Sequence, residues 1–155
     1  MSANDLHTTT GSERNASLPR ISSTANRIAW ALQLVAAVIL GQTLFFKFSG
    51  APESVAIFEA LGAEPYGRLG TAVAETIAVL LLLRRSTAAL GGLLGMGLMS
   101  GALLSHLTKL GIEVAGDGGT LFALAIVTFL ASFGVLVLRR AYLPLVGTRL
   151  AAQES

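Results

Sequence analysis

The chain has 155 residues, of which 53% are hydrophobic and only 13% are charged, and its formal net charge is +2. Soluble domains usually contain about 25% charged residues, so this composition is typical of an integral membrane protein. The small net charge, scattered over helix ends, argues against a nucleic-acid partner. Because the chain has no cysteine, disulfides, thiol catalysis and cysteine metal sites are excluded.

The first apolar run predicts a membrane anchor that is not cleaved. Residues 1–24 are rich in Ser, Thr and Asn without an apolar period, which predicts a disordered tail. The run 28–46 follows, and its nineteen residues are dominated by apolar side chains. A signal peptide would have a shorter apolar region of about 7–15 residues followed by a cleavage site. We therefore expect the first transmembrane helix here.

A short helix and a second span are predicted next. The segment 52–61 begins with Pro52 and is followed by Gly62, typical signals for the start and end of a helix. It is too short to cross a bilayer, so we expect it at the membrane surface, with an ordinary structured loop as the alternative. The second apolar run, 66–83, carries Glu75 near its centre. At about 1.5 Å per residue, this carboxyl group lies close to the middle of a hydrocarbon core about 30 Å thick.

The third apolar run, 88–107, is dense in small residues spaced four apart. Such spacing lets helix backbones approach closely in lipid, so we expect a packing surface. A phosphate-binding loop is excluded because the glycines lie within a helix and no Gly-Lys-Ser/Thr sequence follows. A polar connection then leads to the fourth apolar run, 120–138. The members of this predicted glycine stripe are Gly91, Gly95, Gly97, Gly101 and Ser105.

Together these runs predict an all-α integral membrane four-helix bundle with a short interfacial helix between the first and second spans. The membrane domain extends over 25–141, between the tail 1–24 and a second tail, 142–155. Four spans place both termini on one side. If that side is the cytoplasm, eight of the eleven basic residues lie inside, in agreement with the positive-inside rule.

A cluster of polar residues is predicted in the outer half of the bundle. A carboxyl group in lipid costs about 2.5–3.5 kcal/mol unless a partner compensates it, so Glu75 should face inward. Lys47 near the end of the first span and His106 near the end of the third are its candidate partners. The predicted polar cluster contains Gln42, Thr43, Lys47, Thr71, Glu75 and His106.

The residues leave the role of this cluster open. One interpretation is a proton or ligand site, since ionisable groups inside membranes often mark such pathways. The other is a structural ion pair between Lys47 and Glu75 that fixes helix packing, or a Lys47 side chain that extends outward to the headgroups. For His106, near the end of its span, a structural role is the preferred interpretation.

Three stretches of the sequence resemble the DoxX family of small bacterial inner-membrane proteins. They are LFFKFSGAPESVAIFEALGAEPYGRLG (44–70), AETIAVLLLL (74–83) and SHLTKLGIEVAGDGG (105–119). In that family a lysine closes the first helix, a short segment ending in Leu-Gly follows, and a glutamate lies in the second helix. Lys47, the pair Leu61 and Gly62, and Glu75 match those features, and the resemblance extends over about 27–140.

The resemblance implies a four-helix membrane bundle without an assigned activity. Some relatives resemble a subunit of thiosulfate:quinone oxidoreductase, and others are linked to membrane-associated redox defence. Because this chain has no cysteine and no metal-ligand cluster, it has no thiol or metal redox site of its own. Electron transfer would then require a quinone in the bundle or a partner subunit that holds the cofactor, and the sequence contains no recognisable quinone motif.

Three functional hypotheses follow from the sequence. The first is a non-enzymatic membrane protein that anchors, or is accessory to, a redox or respiratory assembly with a partner subunit. The second is a small proton-coupled carrier, or a lipid- or quinone-binding protein, that uses Glu75 and His106 and works as a homo-oligomer. The third, least favoured because only one acid–base pair is present, is an enzyme acting on a lipid or quinone.

Overall fold

The computed structural model describes residues 22–143, which are 81% helical and contain no strand. The prediction of an all-α protein is therefore confirmed. A π-helical turn at His106–Leu110 continues the fourth helix, and a 3-10 turn at Arg140–Tyr142 ends the fifth. The α-helices are α1 (Ser23–Ser49), α2 (Pro52–Ala60), α3 (Tyr66–Leu82), α4 (Ala88–Ser105) and α5 (Thr120–Arg139).

Three helical segments are long and apolar enough to cross a membrane, which indicates a multi-pass membrane protein. They are Ser23–Ser49, Ala88–Leu110 and Thr120–Tyr142. Helix α3 has 17 residues and is shorter than these three segments. At about 1.5 Å per residue it extends about 25 Å, against a hydrocarbon core of about 30 Å.

The first helix begins earlier than the sequence predicted. The side chain of Ser22 accepts a hydrogen bond from the Ala25 N–H at 3.2 Å and so caps the helix. Ser23 and Thr24 are therefore helical and do not belong to the tail predicted for 1–24. The rest of that tail and residues 144–155 of the second tail lie outside the described residues.

Small residues fill the interior and large apolar residues cover the outside. Helices α1 and α4 each pack against both α3 and α5, while α2 contacts α1, α3 and the π-helical turn. On the outside, Phe45 is 72% exposed, and Val38 and Leu80 are each 64% exposed. This distribution suits helices that face lipid and pack against one another through small side chains. The fully or nearly fully buried alanines are Ala29, Ala36, Ala72, Ala78, Ala88, Ala89 and Ala131.

Close helix contacts use only the first half of the predicted glycine stripe. A Cβ atom added at Gly91 would lie 2.7 Å from the backbone nitrogen of Leu82, and one added at Gly95 would lie 2.7 Å from Ser132 Oγ. Gly92, which the sequence analysis did not select, is equally close to the backbone oxygen of Ser132. Helix α4 therefore packs tightly against α3 and α5 at this level.

The second half of the stripe does not pack as predicted. A Cβ atom added at Gly97 or Gly101 would meet no heavy atom within 4 Å, and Ser105 Oγ donates to the Gly101 carbonyl of its own helix at 2.9 Å. The reason is helical rotation. At about 100° per residue, the six residues from Gly91 to Gly97 turn the side-chain direction by about 240°, onto a different face of α4.

The two kinds of glycine predict opposite responses to the same substitution. Gly92→Ala should lower the free energy of unfolding by about 1–3 kcal/mol, because the added methyl group collides with the backbone of α5. Gly97→Ala should leave stability unchanged or raise it, since the methyl group enters open space and alanine favours the helix. Thermal unfolding in detergent measures both variants. Equal melting temperatures for the two would contradict this packing.

Candidate ligand-binding site

A buried ion pair joins α1 to α3. Lys47 Nζ lies 2.5 Å from Glu75 Oε1, and the two side chains are 15% and 3% exposed. Thr43 Oγ1 lies 3.0 Å from Glu75 Oε2 and 2.8 Å from the Leu40 carbonyl oxygen, so its single proton can serve either acceptor. The Glu75 carboxylate thus faces inward and is paired with Lys47, whereas His106 has a different partner.

The Arg68 side chain connects the end of α1 with the start of α3. Its guanidinium donates to the Lys47 backbone carbonyl and to both carboxylate oxygens of Glu64, with Arg68 Nη2 lying 2.6 Å from Glu64 Oε1. Arg68 is therefore a second buried cation near the ion pair, with its own acidic partner. The predicted polar cluster does not include Arg68, although Glu64 and Arg68 have the four-residue spacing of a helical ion pair.

The His106 ring is held by the π-helical turn that ends α4. His106 Nδ1 lies 2.7 Å from the Gly111 carbonyl oxygen. Because a carbonyl oxygen only accepts, Nδ1 is the donor, and Nε2 is the ring nitrogen available to another partner. The ring also contacts the edge of Phe122, with centroids 5.6 Å apart. His106 is 7% exposed.

The two remaining residues of the predicted cluster differ in their surroundings. The Thr71 hydroxyl lies 2.9 Å from the Gly67 carbonyl and 3.0 Å from the Arg68 carbonyl, so its proton is used within its own helix. Gln42 is exposed on α1. Neither is hydrogen-bonded to the Glu75 carboxylate, and both contribute to the wall of a shared cavity.

All six residues of the polar cluster line one cavity of about 1070 Å³. Its walls come from all five helices and are mainly apolar, with leucine the most frequent residue and with Gly97, Gly101 and Ser105 on the α4 side. Phe46 and Leu93 line the cavity and are also 44% and 48% exposed. The cavity therefore reaches the apolar outer surface of the helices. Ligand pockets in proteins typically measure about 300–1,000 Å³, so this space is large enough for a sizeable apolar molecule.

Asp117 orders the loop at one edge of the cavity. Its Oδ1 accepts from the N–H groups of Val114 and Gly119, both at 2.9 Å, and its Oδ2 accepts from the Leu121 N–H at 2.8 Å. These backbone donors, with Leu121 the strongest, hold the pKa of Asp117 below its ordinary value. Three backbone hydrogen bonds to one carboxylate thus stabilise the loop between the π-helical turn and α5.

The depressed pKa of Asp117 predicts how this loop responds to acid. A group whose pKa is lower in the folded state stabilises the fold above its unfolded pKa of about 3.9, and this contribution is lost as pH falls through the folded pKa. Asp117→Ala should therefore melt below the unsubstituted protein at pH 7, and the difference should shrink below about pH 4. Melting curves across this range test the expectation. Glu113→Ala, an exposed change in the same loop, is the control. A difference for Asp117→Ala that is independent of pH would contradict it.

A second polar cluster, which the sequence analysis did not assign as a site, is buried at the opposite end of the helices. Gln33 Nε2 donates to the Leu82 carbonyl at 2.5 Å, and Gln33 Oε1 accepts from Arg139 Nε at 3.1 Å and Nη2 at 3.0 Å. Arg139 Nη1 donates to Asn26 Oδ1 at 2.9 Å. Gln33 and Arg139 are both 0% exposed. The signal that could have found Gln33 is its spacing of seven residues from Leu40 and of fourteen from Lys47, which places the three side chains on one face of α1.

No family model matches the chain, and no curated protein or solved structure matches it. Its function therefore has to be inferred from the cavity and from the side chains that line it.

Proposed function

We propose that this chain is a four-span protein of the bacterial inner membrane that binds a lipid-soluble molecule of the quinone class in the cavity between its helices. The observation that carries this proposal is the cavity of about 1070 Å³ with apolar walls, in which a buried ion pair and a histidine supply polar groups. In this proposal the protein is the anchor or accessory subunit of a redox assembly.

The shape and walls of the cavity favour a ligand that arrives from the bilayer. Apolar side chains dominate the lining, and exposed lining residues such as Phe46 and Leu93 connect it with the surface that faces lipid. A molecule dissolved in the membrane can then enter without crossing water. Binding sites of this kind use a large apolar surface for affinity and a few polar groups for orientation.

The polar groups of the cavity suit both forms of a quinone head. Lys47 Nζ has three N–H donors, of which one serves Glu75, and a quinone carbonyl oxygen can accept from another. Glu75 and His106 Nε2 can accept from the hydroxyl groups of the reduced form. A bound quinone would supply the reversible two-electron chemistry that the side chains of this chain lack.

Two features of the chain support four spans and cytoplasmic termini. Helix α3 packs between α1 and α4, and its 17 residues equal the shortest apolar stretches that cross bilayers, about 17–25 residues. Arg27, Arg84, Arg85, Arg139 and Arg140 lie at one end of the helices, which the positive-inside rule assigns to the cytoplasm. The resemblance of 44–70 to the DoxX family supports the bacterial membrane and the accessory role.

Thermal unfolding with a soluble quinone analogue tests the proposal. Decylubiquinone at about 100 times its dissociation constant should raise the free energy of unfolding by about 2.7 kcal/mol. Decanol, which has a similar tail and no quinone head, should have a much smaller effect. Gly101→Leu, which places a side chain in the cavity, should weaken the stabilisation, because the added carbon atoms occupy part of the space for the ligand. Gly41→Leu, which also meets open space but does not line the cavity, should retain it.

Three outcomes would contradict the proposal. The first is no stabilisation by decylubiquinone, and the second is equal stabilisation by decanol. The third is an equal loss of the decylubiquinone stabilisation in Gly101→Leu and Gly41→Leu. Proton flux driven by pH in vesicles that contain no quinone would favour the proton-coupled carrier instead.

A further inference from the structure

The charged residues of the described chain are divided between the two ends of the helices. All six acidic residues in 22–143 belong to α2, α3, the segment joining those two helices, or the loop before α5. The opposite end, where α1 and α4 begin and α3 and α5 end, contains only basic charged residues within the described part of the chain. We name it the arginine end, and its members are Arg27, Arg84, Arg85, Arg139 and Arg140.

Side-chain contacts connect α1, α3 and α5 at the arginine end. Gln33 on α1 bonds to the last turn of α3, and Arg139 on α5 bonds to Gln33. The Arg139 guanidinium carbon lies 5.8 Å from the centre of the Trp30 ring. The Arg85 guanidinium carbon lies 5.8 Å from the centre of the Tyr142 ring. The positive charges of Arg85 and Arg139 are therefore held at defined positions.

Arg139 has neutral hydrogen-bond partners at this end. Its guanidinium is 0% exposed and donates to the amide oxygens of Gln33 and Asn26. Arginine keeps its charge in proteins, and a buried charge is strongly unfavourable unless an opposite charge compensates it. The positive charge of Arg85 repels that of Arg139 and adds to the imbalance. No acidic side chain in 22–143 neutralises it.

The surroundings indicate which anion fits. Ile28 and Leu83, apolar residues near the arginine end, are 50% and 47% exposed, as expected beside lipid chains. Trp30 and Tyr142 are partly buried aromatic residues of the kind enriched at the membrane–water boundary. Guanidinium groups bind phosphate through paired hydrogen bonds, and basic pockets between transmembrane helices bind anionic headgroups.

We propose that the arginine end binds the phosphate group of an anionic phospholipid. Arg85 and Arg140, both exposed, contact the phosphate, and the buried Arg139 provides a fixed positive charge beneath it. The acyl chains of the same lipid lie along the exposed apolar residues nearby. This site is separate from the cavity and does not depend on what the cavity binds.

The tryptophan at this end provides a direct probe, because Trp30 is the only tryptophan in the chain. The protein is placed in phosphatidylcholine vesicles that contain a small fraction of brominated lipid, which quenches tryptophan on contact. Brominated phosphatidylglycerol should quench Trp30 several times more strongly than brominated phosphatidylcholine at the same fraction. Each lost arginine should weaken the binding of phosphatidylglycerol about fivefold, so the loss of about 25-fold in Arg85→Gln combined with Arg140→Gln should remove the preference. Lys109→Gln, which removes an exposed charge at the other end, should leave the preference intact.

Three results would overturn this proposal. The first is equal quenching by the two brominated lipids. The second is an equal loss of preference in Lys109→Gln and in the double arginine variant. The third is loss of the preference when millimolar inorganic phosphate is added at constant ionic strength, because the site would then take free phosphate and not a lipid. Since Arg139 is left in place in every variant, the buried network with Gln33 is preserved.

Discussion

Glu75→Gln should lower the free energy of unfolding by about 3 kcal/mol, the lower end of the range for breaking a buried ion pair. The amide cannot balance the charge of Lys47, whose side chain is 15% exposed and so has only limited contact with surrounding solvent. The value lies at the lower end of the range because this partial exposure lets water reach the ammonium group. Reversible unfolding in mixed micelles measures the change.

A double substitution separates the structural role of the ion pair from its role in binding. Glu75→Gln combined with Lys47→Met removes both charges, so part of the lost stability should return, with a coupling energy of about 0.5–3 kcal/mol. Lys109→Met, an exposed lysine change, is the control. If the effects of the two single substitutions simply add, Lys47 and Glu75 are not coupled. If the double variant folds and still responds to decylubiquinone as before, the ion pair is purely structural.

Gln33→Leu should destabilise the protein by about 3 kcal/mol, because it leaves a fully buried guanidinium without its main acceptor. The substitution removes the oxygen that accepts two hydrogen bonds from Arg139 and the amide that donates to the Leu82 carbonyl. Gln42→Leu changes an exposed glutamine on the same helix and should have little effect on stability. Chemical or thermal unfolding of the two variants gives the comparison.

The same network allows a second check on the cause. Gln33→Leu combined with Arg139→Met should recover much of the stability, because a buried polar network can be replaced by apolar residues of similar volume. If Gln33→Leu is as stable as Gln42→Leu, Arg139 is not dependent on Gln33. If the double variant is less stable than Gln33→Leu alone, the loss is caused by packing and not by the unpaired charge.

Two kinds of feature could be predicted from the sequence. They are those set by the cost of polar groups in lipid and those set by residues that start or end a helix. The apolar runs predicted helices, and the cost of a carboxyl group in lipid predicted that Glu75 faces inward with a partner. Pro52 and Gly62 predicted a short helix, which the structure has at Pro52–Ala60. The side of α4 on which each glycine lies could also have been predicted. Helical rotation places Gly91 and Gly97 about 240° apart around the helix axis, although the four-residue spacing had put both in one stripe.

Features that depend on the meeting of distant segments could not be predicted. Gln33 and Arg139 are 106 positions apart, and only the packing of α1 against α5 brings them together. The contact between His106 and Gly111 requires a π-helical turn, which no spacing in the sequence signals. The cavity results from the arrangement of five helices, so its volume and its opening towards lipid have no counterpart in any single stretch.

The most direct test of the central claim is native mass spectrometry of the protein taken from its own membrane in mild detergent. The unsubstituted protein and Gly41→Leu should each retain one small lipid-soluble molecule, which organic extraction releases with the mass and absorbance of a quinone. Gly101→Leu should fold equally well and retain less of it, because its side chain takes up part of the cavity. An unsubstituted protein that carries no such molecule, or that carries the same amount as Gly101→Leu, would contradict a ligand site between the helices.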